Sequence, residues 1–401
     1  MKTDWGTLGY CSNIHPGEKW DEHFSELKDK LPQIKAKISP EKAFGFGLRI
    51  ANEASLELED MEKLSAFKDW LKKEDLYVFT LNGFPYGGFH HVRVKEDVHS
   101  PDWRTLDRVN YTKRLINHLA YLIPDDLMEA GISTSPLSYK PWFNNPIELL
   151  AATIECTNHL MEVVMYSKIV FEKTGKKIHI DIEPEPDGIL GDHHDFIDWY
   201  ENILLVHGKN YLISKGFLKE QVEETIRNYV RICFDVCHYG VNFDSPTKSL
   251  DEFKEKGIKM GKYQISSAIK ILFNKNDGSE KKSLEPYVDP VYLHQVKALK
   301  RDGSFQNYLD LNLALNEDSP ASLEKEWRIH FHVPIFMENY ENISSTQAEI
   351  LETLDYIKYH QEMPIMEIET YTWSILPKEI QTNIVNSISR EINWVIEQLK
   401  K

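Results

Sequence analysis

Phe234-Asp235-Val236-Cys237-His238 closes a short apolar run and sets a carboxylate and an imidazole three residues apart. Asp and His together suit one borderline divalent ion, provided that a strand ends between them so that the imidazole curls back toward the carboxylate. The same residue types recur in Lys177-Ile178-His179-Ile180-Asp181-Ile182-Glu183-Pro184-Glu185-Pro186. Strict alternation there puts His179, Asp181, Glu183 and, if the strand stays regular, Glu185 on one side and the isoleucines on the other. Pro184 and Pro186 cannot join a ladder, so the strand ends beside Glu183, which can reach an ion at the mouth. His179 and Asp181 lie deeper and must pair with neighbours, and Glu185 is the substitute ligand. In Met366-Glu367-Ile368-Glu369-Thr370-Tyr371-Thr372-Trp373, Glu367 and Glu369 share a face and only Glu369 reaches the exit. A carboxylate on an otherwise apolar strand is costly unless paired or liganded.

A fourth ligand is open at this level. Gln264, in Tyr263-Gln264-Ile265-Ser266-Ser267, offers an amide oxygen or a hydrogen bond within the core. Trp327 to Pro334 brings His330 and His332 to one face, with His332 nearer the end of the run. His294, in Tyr292-Leu293-His294-Gln295, belongs to the site or else caps or packs a helix. Plainer readings stand beside these: Asp235 as a helix cap, His238 as a satisfied imidazole, Glu183 as a surface carboxylate.

The elements that must position these groups alternate. Strands are expected at Leu8 to Ile14, Phe44 to Ile50, Tyr77 to Leu81, Gly131 to Thr134, Ile178 to Glu183, Val230 to Val236, Lys262 to Ser266 and Ile365 to Tyr371. Helical periodicity marks Leu56 to Lys72, Arg104 to Ile123, Pro146 to Thr174 and His193 to Ser214. Eight strands separated by crossovers imply an α/β fold, the closed (β/α)8 TIM barrel. An open doubly wound sheet would want a glycine-rich first turn, and Gly45-Phe46-Gly47 lies inside a strand instead. Polar clusters follow strand after strand, at Asn13-Ile14-His15, Asn82 to Pro85, Glu183 to Glu185, Asp235 to His238 and Glu369 to Trp373. In a barrel all of these open onto one face. No linker interrupts residues 1–401, which read as one domain, with 275–345 an enlarged crossover after the seventh strand that covers part of the cleft.

The chain of 401 residues is 41% hydrophobic and 27% charged, enough to bury a large core. Its formal charge of -16 opposes the polyanion that a general nucleic-acid binder must neutralise, so no nucleic acid is expected as a partner. Met1 to Trp5 opens no apolar segment of signal-peptide length, and no stretch approaches the roughly 18 apolar residues of a membrane span. A cytoplasmic protein without membrane insertion is the expectation. The cysteines, at positions 11, 156, 233 and 237, have no scaffold-like pairing pattern and are expected reduced; on one strand Cys233 and Cys237 would share a face.

The strand pattern and the Asp-x-x-His motif resemble the xylose-isomerase-like barrel superfamily of sugar isomerases, sugar epimerases and apurinic endonucleases. The likeness is closer to the EboE-type proteins of metabolite-traffic clusters, through Leu8 to Glu18, Asp181 to Pro186, Phe234 to His238, Gln264 to Ala268 and His330 to Phe336. The resemblance implies one divalent ion or more, zinc or manganese, held by residues corresponding to Glu183, Asp235, Gln264 and Glu369, with His238 on the substrate. The family has a histidine where Gln264 stands, so either His332 fills in, as additional histidines do in the endonuclease branch, or the site is altered. It further implies isomerisation or epimerisation of a sugar or polyol by proton transfer through a metal-held enediolate. Glu183, Glu369 and His238 would be catalytic. His15, His238, Glu185, His330 and His294 would grip the substrate, and Trp142 or Trp373 would stack on it. The pathway implied is the handling of a secondary-metabolite precursor together with partner proteins of the traffic cluster. Two other readings are a non-catalytic carrier of a small polar metabolite on the same barrel and an endonuclease-like metal hydrolase.

Overall fold

Strands Gly6–Tyr10, Phe44–Arg49, Leu76–Asn82, Glu129–Thr134, Lys177–Ile182, Val230–Asp235, Met260–Ile265 and Ile365–Ile368 run parallel and curl into a barrel. They are seen in a computed structural model that describes residues 1–88, 95–275, 278–317, 320–340, 342–373, 376 and 378–401. Neighbours pair in sequence order from the second strand to the seventh, then the eighth, then the first. A single parallel bridge, Cys11 to Gly47, joins the first and second strands and completes the ring. Lys2–Thr3 adds a short antiparallel strand to the first. The expected (β/α)8 architecture is the observed one.

Strands such as Phe44–Arg49 and Val230–Asp235 are buried along their whole length. Parallel strands covered on both faces have this character. On the fifth strand Ile178, Ile180 and Ile182 join the main apolar core, while the alternate residues face the barrel interior. Polar side chains there are paired: His179 Nδ1 lies 2.5 Å from Asp181 Oδ1, and Lys262 Nζ lies 2.5 Å from Glu367 Oε2, both members of the latter pair fully buried. Room for them comes from three glycines. A Cβ at Gly131 or Gly261 would collide with the Asp181 carboxyl, and one at Gly47 would collide with Glu367 Oε1.

Helix Pro146–Thr174 has the bounds its periodicity predicts, because Asn145 caps the amides of Ile147 and Glu148 and Gly175, at φ 72°, ends the last turn. Helix Leu106–Leu122 is capped by Thr105. The run from His193 to Ser214 is continuous but widens to π-type turns at Trp199–Gly208. The run expected from Leu56 to Lys72 is instead two helices, Asn52–Glu57 and Met61–Lys73, since Asp60 caps the second by accepting the Glu62 N–H at 2.9 Å.

Between the seventh and eighth barrel strands the chain builds a separate antiparallel sheet. Its order is Phe305–Tyr308, Val296–Lys300, Glu324–Ile329, Ile269–Leu272, Ile343–Ser345 and Asn339–Tyr340. Ile269, Ile271, Val296, Trp327 and Ile329 give it an apolar core of its own. Tyr292, Leu293, His330 and His332 of this excursion reach the barrel mouth. His294 sits in the extended approach to Val296–Lys300, its N–H donated to Asp310 Oδ1 at 3.2 Å. One expectation needs correction here. Cys233 and Cys237 do not share a strand face, because the strand stops at Asp235 and Cys237 belongs to helix Val236–Asn242. All four cysteines are buried free thiols. Among the described residues no helix is long and apolar enough to cross a membrane.

Candidate metal centre

The fifth, sixth and eighth strands stop at Ile182, Asp235 and Ile368, so Glu183, Asp235 and Glu369 stand where the strands open into the mouth. Asp235 is also the cap of helix Val236–Asn242, its Oδ1 accepting the His238 N–H at 3.2 Å. The Asp-x-x-His spacing is thus a capping turn that folds His238 back over the carboxylate, with Nε2 4.0 Å from Asp235 Oδ2. One oxygen from each of Glu183, Asp235 and Glu369 lies within 4.8 Å of the others, and all three residues are buried.

Neighbours hold these carboxylates in place. Glu369 Oε1 accepts from the Asn13 amide at 2.5 Å and the Asn82 amide at 3.5 Å, and Glu369 Oε2 accepts from the Gln264 amide. Gln264 Oε1 in turn accepts the Cys233 thiol at 2.8 Å. Ser266 donates to Asp235 Oδ1 at 2.6 Å, while Asp235 Oδ2, fully buried, has no hydrogen-bond partner. Burial, followed by the Glu369 and Asp235 charges, pushes the Glu183 carboxyl well above the ordinary range. Burial, then Asp235 and Glu367, does the same to Glu369. Lys262 pulls both down but is committed to Glu367. Burial also works against the Asp235 charge, yet the His238 and His332 imidazoles and the Ser266 hydroxyl outweigh it and hold that carboxyl below its usual value.

The histidines around this triad are oriented by acceptors. His238 Nδ1 lies 2.8 Å from the Pro184 carbonyl and His332 Nδ1 lies 3.0 Å from the Glu369 carbonyl. His330 Nδ1 lies 2.8 Å from Gln295 Oε1, and the Gln295 amide is itself fixed by donating to the Pro186 carbonyl at 3.0 Å. An oxygen of this kind only accepts, so each Nδ1 carries a proton and Nε2 is the ring atom left for a ligand. The Nε2 atoms of His330 and His332 face each other at 3.3 Å, an arrangement that calls for a proton or a metal ion between them. Burial lowers the proton affinity of His238 and, further, of His330. Nδ1 donation to a carbonyl is how a metal-bound histidine is usually oriented.

Several groups of side chains therefore have ligand atoms close enough for an ion, within 4.8 Å of one another: Glu183, Asp235 and Glu369; Asp235, His238 and His332; Glu185, His238 and His330; and Cys237, His330 and His332. The donor sets fit a divalent cation, and the buried Asp235 Oδ2 and Glu185 Oε2, neither with a hydrogen-bond partner, are what such a cation would satisfy. Glu185 lies 3.8 Å from His330 Nδ1 and 3.7 Å from His99 Nε2.

A small cavity of about 70 Å³ opens above the carboxylates, and Asn13, Asn82, Glu183, Glu185, His238, His330, His332 and Glu369 line it. Asp235 and Gln264 are fully buried and are not among the lining residues. Of the remaining expected site residues, His15 is buried with Nε2 2.7 Å from the Tyr10 hydroxyl, and His294 packs on Phe331 at 4.2 Å between ring centres. Trp142 stands edge-on to Tyr139, and Trp373 bridges the two apolar cores. These four are not among the residues that line the cavity. Residues to which the sequence assigned no role do line or adjoin it. Tyr292 and Tyr371 form wall, and Lys95 enters while bound to Asp310 Oδ2 at 2.5 Å. His99, stacked on Tyr139 at 4.9 Å, is driven by burial and by Arg108 to a pKa of about 3. The polar cluster at Asn82 was a signal for the third-strand end; Lys95 and His99, at the two ends of a short 3-10 helix, left none.

The fold and site define a (β/α)8 barrel with a buried acid and histidine cluster at the carboxyl ends of its strands. No protein-family model matches the chain, and no curated protein matches it. Similar solved structures include an IolI protein with a bound zinc atom, 11% identical over 98% of this chain and 98% of that one, with a TM-score of 0.47. A D-tagatose 3-epimerase-like protein is 11% identical over 98% and 97% of the two chains, with a TM-score of 0.46. A xylose isomerase domain protein from Planctomyces limnophilus is 11% identical over 99% and 95%, with a TM-score of 0.44.

Proposed function

We propose that this protein is a divalent-metal-dependent isomerase or epimerase of a sugar or polyol, with Glu183, Asp235, Glu369 and His332 holding the ion. The observation that carries this reading is the convergence of three buried carboxylates near which Lys262 is already paired with Glu367 and Lys95 with Asp310. Zinc or manganese suits the mixed oxygen and nitrogen donors. When bound, the ion would polarise a substrate carbonyl and lower the cost of removing the proton from the adjacent carbon. Glu183 and Glu369 are the residues that move that proton, since burial and the neighbouring carboxylates raise their proton affinities well above the ordinary carboxylate range. His238, its Nδ1 anchored on Pro184, offers Nε2 to a substrate hydroxyl, and Glu185 and His330 face the same cavity. The cavity is below the ~300 Å³ of ordinary ligand pockets, so the stretch around Tyr292 and Leu293 must yield to admit a sugar. The xylose-isomerase-like order of motifs supports this placement, and the EboE-type likeness supports a setting in metabolite traffic.

The test is wash-in of deuterium from D2O at carbon in a panel of ketoses, aldoses and inositols, using metal-reconstituted protein. Wash-in that is lost in Glu183→Gln and Glu369→Gln is the expected result. No wash-in with any substrate that binds would refute it. One observation favours a second reading, a metabolite-binding protein without catalysis: Gln264, at the seventh-strand position, is tied at both ends to Glu369 and Cys233. Binding of a metabolite without exchange is the outcome that reading requires.

A further inference from the structure

A second cluster lies outside the cavity, where the loop after the fifth strand meets the turn after helix Val236–Asn242. Asp192 caps the helix that begins at His193, so His193 and His194 are its first residues, with ring centres 3.7 Å apart. One nitrogen of each and one Glu252 oxygen lie within 4.8 Å of one another. Glu252 Oε2 is 3.5 Å from His193 Nε2, and on the other side of the ring Asp244 Oδ2 is 3.1 Å from Nδ1. His193 is 3% exposed, and against the effect of burial the Asp244 carboxylate, by hydrogen bonding and charge, and then Glu252 raise its proton affinity.

We propose that His193, His194 and Glu252 bind a divalent cation of the zinc type, with Asp244 orienting His193 through its Nδ1. Ligands around zinc sit about 2.0–2.2 Å from the ion, so neighbouring donor atoms stand roughly 3.3 Å apart with their lone pairs turned toward the metal. The His193 to Glu252 approach matches that spacing. A carboxylate behind the far nitrogen of a ligating histidine fixes its tautomer and strengthens it as a ligand. The site takes two ligands from the start of the helix that opens at His193, after the fifth strand, and one from helix Pro246–Glu255, between the sixth and seventh strands. It would therefore brace against each other the two strand connections that also carry Glu183 and Asp235.

The contacts also suit a His193 imidazolium clamped between two carboxylates, and the two arrangements differ in what exposed His194 does. The experiment is zinc titration of the full chain after chelation, reading metal per chain and the zinc-induced rise in Tm. Four proteins are compared: wild type, Glu183→Gln/Glu369→Gln, His194→Ala, and Glu252→Gln. The interior double variant should keep one zinc that His194→Ala and Glu252→Gln each lack. His194→Ala without metal should melt with the wild type, because its side chain is exposed. If His194→Ala binds as much zinc as wild type, or if the interior double variant binds none, the peripheral site is refuted and His193 is a charged bridge. Failure of the interior site shows differently, as equal zinc in wild type and the interior double variant.

Discussion

Replacing Glu183 by Gln should move stability and metal binding in opposite directions. In the metal-free protein the oxygens of Glu183, Asp235 and Glu369 crowd within 4.8 Å. Two full charges at that separation repel by about 332/(20 × 4.8), or ~3.5 kcal/mol, at an effective dielectric constant of about 20. The folded chain escapes much of this by taking up protons, which is why Glu183 is held well above the ordinary carboxylate range. A carboxyl whose folded pKa exceeds its unfolded value binds more protons when folded. Its favourable contribution is complete at acid pH and is lost as pH rises from about 4.5 toward the raised value. The amide keeps the volume and removes the charge. Glu183→Gln should therefore stabilise the metal-free protein at about pH 8 by roughly 1–3 kcal/mol, less than the bare repulsion because protonation already relieves part of it.

A bound ion reverses the sign. Ligand carboxylates must shed their protons, so metal binding strengthens as pH rises, and free ion at ~100 times its Kd stabilises the wild type by about 2.7 kcal/mol. The variant should lose that gain. Urea unfolding of chelated and zinc-loaded proteins at about pH 5.5, 7 and 8.5 reads both effects. A Glu183→Gln protein that is less stable than wild type without metal, and equally stabilised by zinc, would refute the reasoning.

Lys262→Met leaves Glu367 buried without its counter-charge and should cost about 3–5 kcal/mol, whereas Lys262→Met/Glu367→Met should recover most of it; urea unfolding of the two variants checks this. His332→Ala should weaken zinc binding at least about tenfold, because it removes a nitrogen donor and its anchored ring. Gln264→Ala should leave most of the binding intact; equilibrium dialysis of the two variants, with the reverse order, would make Gln264 the ligand. Burial raises Glu391 to about 8 while it accepts the Ile335 N–H at 3.0 Å. Its stabilising contribution is thus lost as pH rises from about 4.5 through 8, and Glu391→Gln should gain on wild type in Tm scans above about pH 8 and not near pH 5.

The barrel was legible because its strands carry two independent signals. Burial on both faces makes them short continuous apolar runs, and each ends in a polar cluster that the period of the fold repeats. The inner polar residues announced themselves by alternation: His179 and Asp181 pair with each other, and Glu367 pairs with Lys262, as a buried charge requires. Helix ends were legible where a cap was local, as at Asn145 and Gly175, and were missed at Asp60, whose cap cuts a periodic run that looks unbroken. The sheet from Ile269 to Ser345 was not legible. Its strand order is set by antiparallel pairings between distant segments, such as Val296 opposite Ile329, and these leave no trace in local periodicity. The same blindness hid His99, whose surroundings depend on which loops meet over the mouth.

The irregularity at the seventh strand and the excursion belong together. The excursion departs from the end of the strand that carries Gln264, and it returns beside that same end: the Val333 N–H donates to the Ser267 carbonyl at 2.9 Å, and the Thr346 N–H to the Ala268 carbonyl at 3.0 Å. His332, one residue before Val333, is thereby delivered to the rim of the carboxylate triad with its Nδ1 on the Glu369 carbonyl. Gln264, in the seventh strand, spends both ends of its amide on Glu369 and Cys233. The imidazole that arrives from the excursion and the amide that braces the carboxylate are complementary. They keep a nitrogen donor beside three buried acids, and they support a retained ion in the reading proposed above. A metal site maintained in this way would tie the order of the excursion to occupancy, so zinc should slow hydrogen exchange at Val333 and Thr346 in wild type and leave it unchanged in His332→Ala. Equal slowing in both proteins would separate the excursion from the ion and return the choice of ligand to Gln264.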